Sequence, residues 1–159
     1  MAEPDASRGL AGAELSAWRS FLGAHAAITR ALDAELEAAH GLTLSEYEVL
    51  LRLAQADGRR LRMSELADRV LLTRSRITRL VDGLEAAGLV RRATCPSDAR
   101  GLFAELTGAG ASRLAAAGGT HVAGVRERFS GRFGETELDE LARLLGRLAP
   151  GADDGGCAA

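Results

Sequence analysis

Residues 63–92 read MSELADRVLLTRSRITRLVDGLEAAGLVRR, and the fold turns on this stretch. Leu66, Ala67 and Val70 recur at helical spacing, which predicts a short helix over 63–70 with those three side chains inward. Leu71-Leu72 leaves room for only a brief turn. Thr73 is placed to cap the start of a further helix running to about residue 87. Ile77, Leu80, Val81 and Leu84 share one face of that helix, and Gly88 follows as its C-terminal stop. Two short helices joined by a tight turn make a helix-turn-helix.

Downstream, residues 89–93 (LVRRA) read as a strand, 94–101 (TCPSDARG) as a turn-rich tip and 102–106 (LFAEL) as a returning strand. A hairpin directly after a helix-turn-helix is a wing. Thr107 caps a helix over 107–129 with a weak point at Gly118-Gly119. A last helix over 136–148 carries Leu138, Leu141, Leu144, Leu145 and Leu148. Upstream, Thr43 and Glu46 have the spacing of a capping box, opening a helix whose buried face is Leu44, Tyr47, Leu50, Leu51, Leu53 and Ala54. Before it, residues 13–39 form a long helix with Leu15, Trp18, Leu22, His25, Ile28, Leu32 and Leu36 on one stripe, closed by His40-Gly41.

The predicted fold is mostly α with a small β-hairpin wing: a winged helix-turn-helix plus a helical dimerisation domain built from both termini. The helical region comprises 11–41 and 107–149, and the DNA-binding domain 42–106. Residues 1–10 and 150–159 are read as disordered tails. The terminal helices are apolar along one side and have too small a module to bury it on. A second copy of the chain is the natural cover.

The charge is unevenly spread. The 159 residues carry a net charge of −2 from 20 basic and 22 acidic side chains, and every basic residue is arginine. That sum alone points away from nucleic acid. The window 59–100, however, holds ten arginines against five carboxylates, a local +5, while the remainder carries −7. A basic module inside a mildly acidic chain has the electrostatic footprint of phosphate binding. Thr73, Arg74, Ser75, Arg76, Thr78 and Arg79 lie at the start of the second helix of the motif, off its apolar face, where recognition helices reach base edges. Arg92 adds charge to the wing. At its tip, Arg100 is suited to a narrow minor groove, and Asp98 to steadying the loop.

Other function classes find little support. There is no run of 18 uncharged apolar residues and no apolar signal core at the N-terminus, so the chain is read as cytoplasmic. Cys95 and Cys157 make no disulfide framework. His25, His40 and His121 lack metal-ligand spacing, so no metal site is expected. No phosphate-binding or nucleophile motif occurs, no cofactor is implied, and the chain is not expected to be an enzyme.

The segments LTLSEYEVLLRLA (42–54), the 63–92 stretch above, DAR (98–100) and Leu106-Thr107 together resemble the MarR family of transcriptional regulators. The resemblance implies a homodimer on palindromic double-stranded DNA, with recognition helices in major grooves and wings in minor grooves. It implies repression relieved by a small phenolic or anionic ligand bound between the dimer helices and the winged module. Carried onto this chain, that pocket would draw on Trp18, His25, Arg30 and Tyr47. Trp18 and His25 also lie on the packing stripe, where core or interface packing is the plainer reading. Gly83 departs from a good helix, costing about 1 kcal/mol relative to alanine. Two alternatives stay open: a redox-responsive regulator using Cys95, and a non-enzymatic helical dimerisation protein.

Overall fold

The computed structural model describes residues 9–70, 72–95 and 98–148, of which 95 and 98–100 are described in backbone only. The tails at 1–8 and 149–159, Leu71, the wing-tip pair Pro96-Ser97, and the side chains of Cys95, Asp98 and Arg100 lie outside the described residues.

Helix α1 spans Gly12–His40 and is closed by Gly41, whose φ of 62° places it in the left-handed region that glycine adopts without a Cβ clash. Helix α2 spans Leu44–Gln55. Its capping box is formed as expected: Thr43 Oγ1 accepts from the Glu46 N–H at 3.2 Å, and Glu46 Oε2 accepts from the Thr43 N–H at 2.8 Å. A 3-10 turn, Asp57–Arg59, leads into strand β1, Arg60–Arg62. Helices α3 (Met63–Val70) and α4 (Arg74–Ala86) form the helix-turn-helix. Gly88, at φ 72°, turns the chain out of α4 into strand β2, Val90–Cys95. Strand β3 is Asp98–Leu106, α5 is Gly108–Arg128, and α6 is Glu135–Gly146 after a 3-10 turn at Ser130–Arg132.

The mostly helical chain with its small β element agrees with the fold class expected from sequence, with three refinements. The sheet among the described residues has three antiparallel strands in the order β1-β3-β2, because Arg60-Leu61-Arg62 pairs with Glu105, Ala104 and Phe103. The expected hairpin alone missed β1: three residues are too few to register as alternation. The wing returns sooner than expected, with β3 starting at Asp98 and an irregular register after Thr94. Helix α5 runs unbroken through Gly118-Gly119.

One core joins the elements. Leu36, Leu42, Val49, Leu50, Leu53, Leu66, Ile77, Val81, Leu84 and Val90 are almost wholly buried. Sheet alternation assigns the wing's two faces. Leu61, Ala104 and Leu106 are buried on the inner face, whereas Arg60, Arg62 and Arg91 stand exposed on the outer one. Helices α1 and α5 cross closely at Gly124, where a Cβ would meet Leu32 and Glu35, and Arg128 pairs with Glu35 at 2.5 Å. The α1 stripe divides: Leu32 and Leu36 are buried, but Trp18 and Leu22 are 50% and 45% exposed, with Phe21 beside them at 43%. Val122, Phe133, Leu144 and Leu148 extend exposed apolar surface onto α5, the turn after it and the C-terminal end.

Candidate nucleic-acid interface

The start of α4 is built by Thr73. Its extended backbone (φ −66°, ψ 152°) places Oγ1 to accept from the Arg76 N–H at 3.4 Å, and Oγ1 also shares a hydrogen bond with Ser75 Oγ at 3.2 Å. Ile77, Val81 and Leu84 anchor one face of the helix in the core. The helical period then leaves Arg74, Ser75, Arg76, Thr78 and Arg79 exposed. Thr78 Oγ1 donates to the Arg74 carbonyl at 2.8 Å, so its hydroxyl hydrogen is committed to its own helix. The dipole of α4 adds positive potential at this end. Six residues named from sequence thus meet at one exposed, basic helix start.

Two open clefts flank it. One, of about 300 Å³, lies toward the wing and is lined by residues that include Arg62, Ser64, Arg74 and Thr78. The other, of about 440 Å³, lies toward α2 between Glu46 and the Ser75, Arg76 and Arg79 side of the helix.

Arg92 plays a different part from the exposed arginines. Strand alternation turns it under the wing, where it pairs with Asp82 and Glu85, each at 2.7 Å. Its backbone N–H donates to Glu85 Oε1 at 2.9 Å, and its guanidinium reaches the Thr78 carbonyl at 3.4 Å. The Arg92 backbone N–H, and then its guanidinium, hold the Glu85 carboxyl below the usual carboxylate range. Burial works against the charge of Arg92, and the hydrogen bonds from Glu85 and Asp82 more than offset it, so its proton is held more firmly than usual. On the other face Arg91 pairs with Glu105 at 2.7 Å. The sequence put Arg92 among the DNA-contacting residues, whereas its geometry is that of a brace between wing and recognition helix. Asp98 and Arg100 belong to β3, and their side chains lie outside the described residues.

The residues named for a ligand pocket divide between an exposed face of α1 and a buried position on α2. Trp18, His25 and Arg30 are exposed on α1, where Trp18 stacks on Phe21 at 6.1 Å and Phe21 faces His25 at 6.4 Å. Tyr47 is buried on α2 and stacks at 4.5 Å on His121 of α5, a residue the sequence had set aside as a scattered histidine. The Nδ1 atom of His121 is buried without a hydrogen-bond partner. Only the packing of α2 against α5 brings these rings together, and no local pattern signals it. Among the described residues, no group of three or more His, Cys, Asp or Glu side chains is placed to hold a metal ion, and no helix is long and apolar enough to cross a membrane.

Comparison with known proteins adds to this geometry. A model of the MarR family matches residues 40–101. The Bacillus subtilis protein named HTH-type transcriptional repressor YetL is 34% identical over 114 residues, covering 70% of this chain and 66% of its own length. Two Streptomyces coelicolor crystal structures superpose on nearly the whole molecule. AbsC, a MarR family transcriptional regulator, has a TM-score of 0.85 at 38% identity, covering 90% of this chain and 96% of its own. Sco3205, of the same family and solved in complex with DNA, has a TM-score of 0.87 at 37% identity, covering 94% of each chain.

Proposed function

The chain belongs to the MarR family of DNA-binding transcriptional regulators, and from that premise we propose that it is a homodimeric repressor of a palindromic operator, released by a small phenolic or anionic ligand. The observation that carries this reading is the start of α4. There Arg74, Ser75, Arg76, Thr78 and Arg79 are exposed together, while Ile77, Val81 and Leu84 fix the helix in the core. Such a helix presents forked donors to guanine edges and to phosphates in the major groove. The complex of Sco3205 with DNA and the repressor name of YetL favour the same role here. The wing-tip residues Asp98 and Arg100 are assigned to the adjacent minor groove, because an arginine on a turn-rich tip suits its narrow, negative floor.

The winged module takes residues 42–106, and the helices on either side, 11–41 and 107–149, take dimerisation. Exposed Trp18, Phe21, Leu22, Val122 and Phe133 favour it, because apolar side chains of this size are seldom left together in water. The ligand would bind where that dimer meets the winged module, using Trp18, His25 and Arg30 of α1 and Tyr47 of α2.

A gel shift with the DNA upstream of the chain's own gene tests the core of this reading. A specific, competitor-resistant complex of dimer stoichiometry is expected, and binding no tighter than to random DNA refutes it. Titrating a panel of phenolic acids against Trp18 fluorescence tests the ligand. Quenching accompanied by loss of operator binding is expected, and neither effect across the panel refutes release by such ligands.

A further inference from the structure

We propose that Thr78 reads a thymine in the major groove through its methyl group, and so fixes one base pair in each half-site. The proposal rests on the DNA-binding reading and deepens it from a face of the recognition helix to the chemistry of one base contact.

The hydrogen bonding of Thr78 selects this partner. Its hydroxyl carries a single hydrogen, and Oγ1 donates it to the Arg74 carbonyl at 2.8 Å. Guanine offers only acceptors, N7 and O6, on its major-groove edge, so a hydroxyl with no hydrogen to give gains nothing there. The same bond draws Oγ1 back over the preceding turn of α4, an arrangement open to threonine in a helix. Oγ1 and the methyl Cγ2 stand on one carbon, about 120° apart around the Cα–Cβ bond. With the oxygen turned to the backbone, the methyl becomes the group that this exposed side chain presents. The C5 methyl of thymine is the apolar group that the major groove offers to it.

Thr78 is also held in advance. Its neighbours on the helix, Ile77 and Val81, are anchored in the core. Its carbonyl accepts from the Arg92 guanidinium at 3.4 Å, and that guanidinium is itself fixed by Asp82 and Glu85. A single contact between methyl groups contributes little, so it discriminates best when its position is set beforehand and no rotamer freedom is lost on binding. The surroundings suit an apolar contact. Thr78 lines the cleft toward the wing together with Ile77 and Leu102, and Leu102 is 45% exposed. Arg74 lies one turn earlier on the same face and Arg79 is the next residue, so cationic forks flank the methyl on the exposed helix start.

The test uses the full chain and a fragment of its own upstream DNA in which footprinting has located the half-sites. Each thymine of a half-site is replaced in turn by deoxyuridine, which removes the methyl alone. One thymine per half-site is expected to show a loss of about four-fold in affinity, the contribution of one buried methyl. Thr78→Ser keeps the hydroxyl and removes the methyl. It is expected to bind the unmodified fragment about four-fold more weakly per half-site, with no further loss at that thymine. Thr78→Val keeps a methyl and removes the hydroxyl, and it is expected to retain the deoxyuridine loss.

A deoxyuridine profile that is the same in the parent and in Thr78→Ser overturns the proposal. So does a Thr78→Val chain that drops the deoxyuridine loss or changes its preference at a cytosine or adenine, because Oγ1 then makes the contact by accepting from a base amine. Should Thr78→Ser fail to fold, the parent and Thr78→Val decide, and the absence of a thymine whose deoxyuridine loss they share overturns it. A parent that does not bind the fragment overturns the DNA-binding reading as well, whereas a parent that binds it with no deoxyuridine loss overturns only this one.

Discussion

The guanidinium of Arg92 lies 2.7 Å from the carboxylate of Asp82, across the junction between the first wing strand and the back half of the recognition helix. Glu85, one turn further along, takes the same guanidinium at 2.7 Å. The wing and α4 are thereby fixed at one angle, and that angle decides whether both can meet a duplex at once. Arg92→Ala is expected to cost about 1 kcal/mol of stability at neutral pH, the scale of a partly exposed ion-pair network. It should also weaken operator binding more than that cost alone explains. Glu85 has its carboxyl held below the ordinary range in the folded chain. Its contribution is therefore present above the unfolded carboxylate value and is lost as pH falls through the folded one. Denaturant melts of parent and variant should converge on acidification, and a gap that stays constant contradicts the brace.

His121 also loses stability on acidification, but because the fold favours its neutral form rather than a charged one. Burial pushes its imidazole below the ordinary histidine value, and the charge of Glu48 opposes that only in part. Its ring is stacked on Tyr47, and its Nδ1 has no partner to share a proton. The unfolded chain therefore takes up a proton before the folded chain does. Stability is full above the unfolded histidine value and falls as pH drops through it toward the lowered folded value. Unfolding midpoints measured from about pH 8 to about pH 5 should fall on the acid side, and His121→Phe should flatten that part of the curve. An unchanged profile in the variant would assign the slope to other groups.

The same substitution should have opposite signs at two glycines. Gly83 lies inside α4 with nothing near the position of a Cβ, so Gly83→Ala is expected to stabilise the chain by roughly 0.5–1 kcal/mol. Gly110 lies in the first turn of α5, where the backbone oxygen of Leu89 occupies the Cβ position. That oxygen also accepts from the Thr107 N–H at 3.1 Å and from Thr107 Oγ1 at 3.0 Å, so it has little freedom to move. Gly110→Ala is expected to destabilise by about 1–3 kcal/mol. Thermal melts of the two variants check both signs, and a neutral Gly110→Ala refutes the close approach.

Phe21 is 43% exposed beside Trp18 on α1 and lies outside the residues assigned to DNA. If a second copy covers this face, Phe21→Glu places a charge in that interface. Sedimentation should then shift from dimer to monomer, and operator affinity should fall steeply, because two linked half-sites become two separate binding events. A Phe21→Glu chain that still sediments as a dimer moves the interface elsewhere.

Local chemistry determined the helical framework. Thr43, Thr73 and Thr107 each cap a helix where the sequence places them, and Gly41 and Gly88 end helices in left-handed geometry. Each of these signals is complete within a few residues, so it can be read from the chain alone. The same holds for the basic start of α4, where the helical period separates Ile77, Val81 and Leu84 from the arginines. Tertiary structure decided what depends on partners distant in sequence. Strand β1 exists only because residues 103–105 of β3 lie beside it. Arg91 and Arg92 look alike in the sequence. Pairing with β3 puts one outward against Glu105 and turns the other under, onto Asp82 and Glu85. Tyr47 and His121 stand far apart in the chain and stack at 4.5 Å because α2 packs on α5. A side chain's type and period are local properties, but the group that neutralises, stacks on or frees it is chosen by packing.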